Sequence, residues 1–297
     1  MSKKYLPLLI ILFILWILFA FFFCKTCWLG KTTAAVAPPV KEAISGWMIK
    51  DGARFNSTCD TGFDFNRSAL NHLTNSSSRF SDCMTETVNY LDNNPNRALT
   101  ITGKYSNAES YNGIFSNLGL ARANDVKSYM MGLGIAATQL NTTSRIIPDG
   151  TITNNTLNEG VDFGFGAVTN NSRLPDIKSR LIDTAPAVTI RFNTGSDAVN
   201  LTAQQQQDFA DIVYYLDNVP SSNVEIGGHT DNVGGVALNT SLSQNRADGI
   251  KDYLVTNGIV GSRMSTQGYG PNNPLNNNAT AQDKALNRRV EVVLKHN

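Results

Sequence analysis

The hydrophobic pattern opens with an unbroken block: Tyr5 to Cys24 reads YLPLLIILFILWILFAFFFC without one charged side chain. About 20 apolar residues at ~1.5 Å rise cross a ~30 Å hydrocarbon layer, so the block predicts a transmembrane helix within an anchor of residues 1–27. The apolar region of a cleaved leader is shorter, about 7–15 residues. The Ala-x-Ala site Ala35-Val36-Ala37 lies well beyond the block and precedes Pro38, and Phe21 to Phe23 stand where a lipoprotein signal has small residues before its cysteine. Lys3 and Lys4 before the block favour an N-terminus inside and the bulk of the chain outside, against Lys25 and Lys31 behind it. Residues 28–44 are small and Pro-containing, a semi-stiff tether, and patterned sequence resumes near Trp47.

From there the chain repeats itself. Tyr90-Leu91-Asp92-Asn93-Asn94-Pro95 returns as Tyr215-Leu216-Asp217-Asn218-Val219-Pro220, and Leu99 to Gly103 aligns with Val224 to Gly228. Arg122-Ala123 to Tyr129 then aligns with Arg246-Ala247 to Tyr253, and Gly134-Ile135 with Gly258-Ile259. Self-similarity over this length predicts two tandem domains of one architecture, 45–166 and 186–297, joined by a connector over 167–185. In the second, Val188 to Phe192 alternates as a strand does, and Thr202 can cap a helix running through Tyr215. Val224 to Gly228 reads as a strand, and Ser241 as the cap of a helix that ends at Asn257-Gly258. Strands over 263–268 and 289–294 follow, the last with Val290, Val292 and Leu294 alternating. Strands alternating with helices predict an α/β fold, a βαβαβ-type α+β sandwich with one sheet covered by helices.

Composition narrows the function more than the fold. Lys plus Arg total 25 and Asp plus Glu 24, a net charge of +1 without a basic tract, which removes the electrostatic motive for binding nucleic acid. In an oxidising compartment Cys59 and Cys83 form a natural disulfide, the alternative being two buried thiols. Cys24-x-x-Cys27 lacks the βαβ context of a dithiol site and reads as a helix-end hydrophobe or an inter-subunit disulfide. No Ser/His/Asp order, Gly-x-Ser-x-Gly elbow, phosphate loop or His-Glu-x-x-His is present, and the three histidines form no metal-ligand spacing. The expectation is a binding protein without enzymatic activity, cofactor or metal.

Gly228-His229-Thr230-Asp231-Asn232-Val233-Gly234, then Asn239, Leu242 to Ala247, Gly268-Tyr269-Gly270 and Asn287-Arg288-Arg289-Val290-Glu291 stand in a fixed order across the second domain. This series resembles the OmpA C-terminal-like peptidoglycan-binding family. The resemblance implies an α/β sandwich that holds the meso-diaminopimelate of the peptidoglycan stem peptide without covalent bonds. It places the ammonium-binding carboxylate on Asp231 and the carboxylate-binding guanidinium on Arg246, with Thr230 and Asn239 nearby and Asn287 and Arg289 framing the pocket. The chemistry agrees: a zwitterionic amino-acid centre requires one fixed anion and one fixed planar cation. Arg246 is expected about one turn into its helix, where free backbone N–H groups also favour a carboxylate. The bland alternative is that Asp231 and Arg246 pair with each other.

The first copy departs at the acid. Ser106 stands for Asp231, Tyr105 for Thr230 and Lys104 for His229, while Arg122 keeps the arginine, and Asn158-Glu159-Gly160 replaces the terminal motif. It reads as a degenerate copy kept as spacer or protein-contact surface. The whole is expected to be a single-pass protein of a bacterial envelope with periplasmic domains, tethered to the wall, its helix or first domain meeting protein partners of an envelope complex. A stator subunit of an ion-driven motor is an alternative, but it needs an intramembrane carboxylate and residues 5–24 contain none. A passive anchoring subunit of a secretion or injection machine is another.

Overall fold

A computed structural model of the chain describes residues 12–19, 46–168, 173–184, 186 and 188–296. Residues 12–19 are helical (α1) with exposed apolar side chains. The rest of the apolar block, the tether and Cys24 and Cys27 lie outside the described residues. Among the described residues no helix is long and apolar enough to cross a membrane. The chain divides into a unit over Met1–Ile44 and a second over Ser45–Asn297, and the fold below is that of the second.

Its C-terminal half is a four-stranded sheet ordered β10-β9-β11-β8, from β8 (Val188–Arg191), β9 (Asn223–Gly228), β10 (Met264–Gly268) and β11 (Arg289–Lys295). β9 runs parallel to β10 and antiparallel to β11. Alternation chooses the buried face: Val290, Val292 and Leu294 of β11 are buried, as are Val188 and Ile190 of β8. Helices α5 (Ala203–Asn218) and α6 (Val236–Thr256) supply Phe209, Ile212, Leu216, Ile250 and Leu254 to the same core. Thr202 caps α5 in a capping box, its hydroxyl accepting from Gln205 N while the Gln205 side chain accepts from Thr202 N. α6 stops at Asn257, and Gly258 takes the left-handed conformation (φ 98°) expected after a helix end.

The N-terminal half has the same central plan. β4 (Arg97–Tyr105) lies parallel to β5 (Leu140–Ile146) and antiparallel to β7 (Val161–Ala167), with α2 (Ser78–Asp92) and α3 (Leu118–Gly132) packed on it. A hairpin of β1 (Trp47–Asp51) and β2 (Phe55–Cys59) precedes them, and the two-residue strands β3 (Phe65–Asn66) and β6 (Thr156–Leu157) pair beside the sheet. Cys59 of β2 and Cys83 of α2 are disulfide-bonded, their Cα atoms 5.5 Å apart. In each half, the strand leading to the candidate site touches the helix carrying its arginine through a glycine. A Cβ on Gly103 would stand 1.8 Å from the Gly119 carbonyl oxygen, and one on Gly228 1.9 Å from that of Ser243. Only glycine permits that approach.

One expectation is corrected. α6 starts at Val236, so Ser241 lies inside the helix and caps nothing. Gly234 (φ 96°) turns the chain early, and Asn239 Nδ2 bonds the carbonyls of Val233 (3.1 Å) and Asp231 (3.5 Å), tying the first turn to the preceding loop. The stretch read as a connector contains α4 (Arg173–Leu181), whose Ile177 and Leu181 are buried in the C-terminal core. The halves also touch directly. Ile114 is buried in the C-terminal core, its N–H donates to Asn257 Oδ1 (3.2 Å), and Lys127 pairs with Asp217 at 2.8 Å.

Candidate ligand-binding site

Asp231 follows β9 and turns back on its own loop, Oδ1 accepting from Val233 N at 3.0 Å, an Asx turn of the kind Asp favours. Its Oδ2 accepts from Arg288 Nη1 at 2.8 Å, and Arg288 also donates to the Phe192 carbonyl (3.2 Å). Arg246 is fully buried. It donates to three backbone carbonyls, Nε to Ser196 (2.8 Å), Nη1 to His229 (3.1 Å) and Nη2 to Asn193 (3.2 Å), and its guanidinium lies 4.9 Å from the Phe192 ring centre. Three bonds do not exhaust the donors of a guanidinium. Burial pulls the Arg246 pKa down, as does the charge of Arg288, while Asp231 and Asp197 push it up.

Asp231 and Arg246 are therefore neighbours that do not pair: the acid's partner is Arg288, and the guanidinium bridges carbonyls of two segments. Arg246 is also the eleventh residue of α6, well past the first turn, so the helix N-terminus lends it no donors. The longer helix is the reason.

The remaining predicted residues divide. Thr230 is buried beside Asp231, its backbone N–H bonded to the Gly270 carbonyl (3.0 Å) and its hydroxyl without a partner among the described residues. Asn239 holds the Asp231 loop, as above. Asn287 is fully buried and serves another loop, accepting from Leu275 N (2.8 Å) and Asn276 N (3.1 Å) and donating to the Asn276 carbonyl and Asn278 Oδ1. Arg289 pairs with Glu291 (2.7 Å) and reaches the Asn273 carbonyl (3.3 Å). These two shape the surroundings and touch neither Asp231 nor Arg246 through a hydrogen bond. His229 is stacked on Tyr269 (ring centres 5.1 Å apart), and burial, then the charge of Arg289, pushes its pKa down to about 4 against a small opposing effect of Glu291. Among the described residues no cluster of His, Cys, Asp and Glu could hold a metal ion.

The N-terminal half rebuilds the guanidinium cradle contact by contact. Arg122 donates from Nε to the Ala69 carbonyl (2.9 Å), from Nη1 to Lys104 (2.9 Å) and from Nη2 to Asn66 (3.2 Å), and lies 5.1 Å from the Phe65 ring centre. Phe65-Asn66 and Ala69 thus stand to Arg122 as Phe192-Asn193 and Ser196 stand to Arg246, and Lys104 as His229. One partner differs. Glu109 places a carboxylate on Arg122 at 2.6 and 3.2 Å, both side chains fully buried. Burial pushes the Glu109 carboxyl up, but Arg122 and the backbone N–H groups of Ser106 and Ser68 outweigh it and hold its pKa below the usual range.

Sequence reasoning passed over Arg288 and Glu109. Arg288 stood inside the Asn-Arg-Arg motif, one residue ahead of β11. Glu109 had a sharper signal: a buried arginine needs a counter-charge, and with Ser106 at the acid position a nearby loop carboxylate is the natural source.

Residues 191–288 match the model of the OmpA family, so the C-terminal half carries an OmpA-family domain. Over 83 residues the chain is 47% identical to the probable lipoprotein YiaD of Escherichia coli (strain K12), covering 28% of this chain and 38% of that protein. It is 38% identical over 100 residues to the peptidoglycan-binding protein ArfA of Mycobacterium tuberculosis, covering 34% of this chain and 31% of that one. The chain thus spans well under half the length of these curated relatives. Among solved structures it is similar to the peptidoglycan-associated lipoprotein from Burkholderia pseudomallei, 26% identical with a TM-score of 0.35, covering 39% of this chain and 99% of that chain.

Proposed function

We propose that the C-terminal half binds peptidoglycan without covalent chemistry, taking the diaminopimelate of the stem peptide between Asp231 and Arg246. One observation carries the reading: the cradle that orients Arg246 recurs around Arg122, and there the guanidinium receives a carboxylate. Arg246 is held in the same way, and its uncommitted donors suit a ligand carboxylate. Asp231, pinned by Arg288 and Val233 N, keeps lone pairs for an ammonium, since a carboxylate accepts from several donors at once. The unpartnered Thr230 hydroxyl can join a ligand polar group, which offsets the cost of its burial.

The relatives' names favour the wall and the envelope, and nothing in the site resembles a nucleophile with its base. The N-terminal half is a degenerate tandem copy, a reading supported by its matching strand order and cradle, and it acts as spacer or protein contact. The apolar block over 5–24 anchors the chain in a membrane with both halves on the periplasmic side, tethering the protein or a complex it joins to the wall. Co-sedimentation of the full-length chain with purified sacculi tests the function. Sacculi with diaminopimelate in the stem retain it and sacculi with lysine at that position do not; equal retention on both removes the diaminopimelate assignment, and retention on neither removes the wall.

A further inference from the structure

We infer that the N-terminal half is a carboxylate receptor occupied from within by Glu109, so that removing this side chain opens a second site on the chain for a small carboxylate. The inference goes beyond wall binding and does not depend on it. Glu109 is bound as a ligand would be: Arg122 Nη2 and Nη1 donate at 2.6 and 3.2 Å, Ser106 N at 2.8 Å and Ser68 N at 2.9 Å. These donors come from three separate segments, and the guanidinium is placed by contacts independent of Glu109. Arg122 is fixed by three backbone carbonyls and the Phe65 ring. Such a preorganised set of donors binds an anion whether or not the anion belongs to the chain.

The loop that delivers Glu109 is secured on both sides of it. Ala108 N donates to Ser106 Oγ at 3.2 Å, and further on Ile114 sits in the C-terminal core with its N–H on Asn257. Truncating Glu109 therefore leaves a polar cavity rather than a collapsed loop, and the cavity retains its four donors. The ligand class follows from Ser106. Where Asp231 would offer an anion to an ammonium, Ser106 offers a hydroxyl, so the opened site takes a simple monocarboxylate of formate or acetate size and not a zwitterion.

Thermal unfolding of full-length Glu109→Ala in sodium acetate and in sodium chloride of equal ionic strength tests this. With a Kd near ~10 mM, about 100 mM acetate raises the melting temperature of the variant by about 3–6 °C over chloride. Wild type and Glu109→Gln, whose cavity stays filled, show no such difference. An acetate gain absent from Glu109→Ala, or shared by Glu109→Gln, overturns the inference. Should Glu109→Ala not accumulate in folded form, refolding from urea replaces melting: recovery favoured by acetate supports the inference, and recovery equal or nil in both salts overturns it.

Discussion

The two halves hold an arginine in the same cradle and differ in what faces it. Around Arg122 a buried glutamate completes the charge balance, and Ser106 stands at the place that aligns with Asp231. Around Arg246 the acid position keeps Asp231, but that acid pairs with Arg288, and the buried guanidinium bonds only carbonyls among the described residues. A site that satisfies its own charges is built for stability. In the proposed binding role, leaving a cation with spare donors beside an acid gives up some stability for recognition, as functional sites commonly do.

Stability measurements separate the two kinds of site most strongly at the acids. Glu109→Ala strips a fully buried arginine of its counter-ion and is expected to cost ~3–5 kcal/mol, whereas Asp231→Asn, which keeps its shape and its bond from Val233, costs ~1–2 kcal/mol. Urea unfolding of both variants checks the ranking, and an equal cost would break the contrast. Arg246→Ala is a poor probe of binding for a related reason: it abandons three backbone carbonyls, that of His229 buried, and weakens the fold along with the site.

The disulfide sharpens the comparison because its two cysteines belong to the N-terminal half alone. Opening the loop between Cys59 and Cys83, 24 residues apart, with a double serine variant is expected to cost ~3 kcal/mol in the chain-entropy account. Hydrogen exchange locates the loss: amides of β4 and α3 lose protection while those of β9 and α6 keep theirs. A uniform loss across both halves would mean that the packed interface makes them one cooperative unit.

A pH-dependent effect concerns His229, whose counterpart is Lys104. With a folded pKa of about 4 against an ordinary 6.5, His229 stays neutral in the fold while the unfolded chain takes up the proton first. Its contribution is therefore full above about pH 6.5 and lost as pH falls towards 4. His229→Asn should flatten the stability profile in that window, read as melting temperature against pH for variant and wild type. Parallel profiles would contradict the assignment.

The strands of the C-terminal half were legible because each rests on local pattern. Val290, Val292 and Leu294 announced β11 by alternation, and Thr202 announced the start of α5. The start of α6 was not legible, since the turn at Gly234 and the tie from Asn239 decide it and Ser241 offered a cap that competed on paper only. The partner of Asp231 was missed because ion pairing across 57 positions is a tertiary fact, set by where β11 meets β9. Asn287 reads from its motif as a pocket residue, and its support of the loop at 275–278 was not legible, because it runs through backbone contacts that no motif records.

Calorimetric titration of the full-length chain with free meso-diaminopimelate tests the central claim most directly, because it counts sites as well as measuring affinity. One molecule should bind per chain. Asp231→Asn should weaken binding at least about thirtyfold, the equivalent of ~2 kcal/mol or more for a charge left without its partner. Two equivalents bound by the wild type, or unchanged affinity in Asp231→Asn, would contradict the division of labour between the halves.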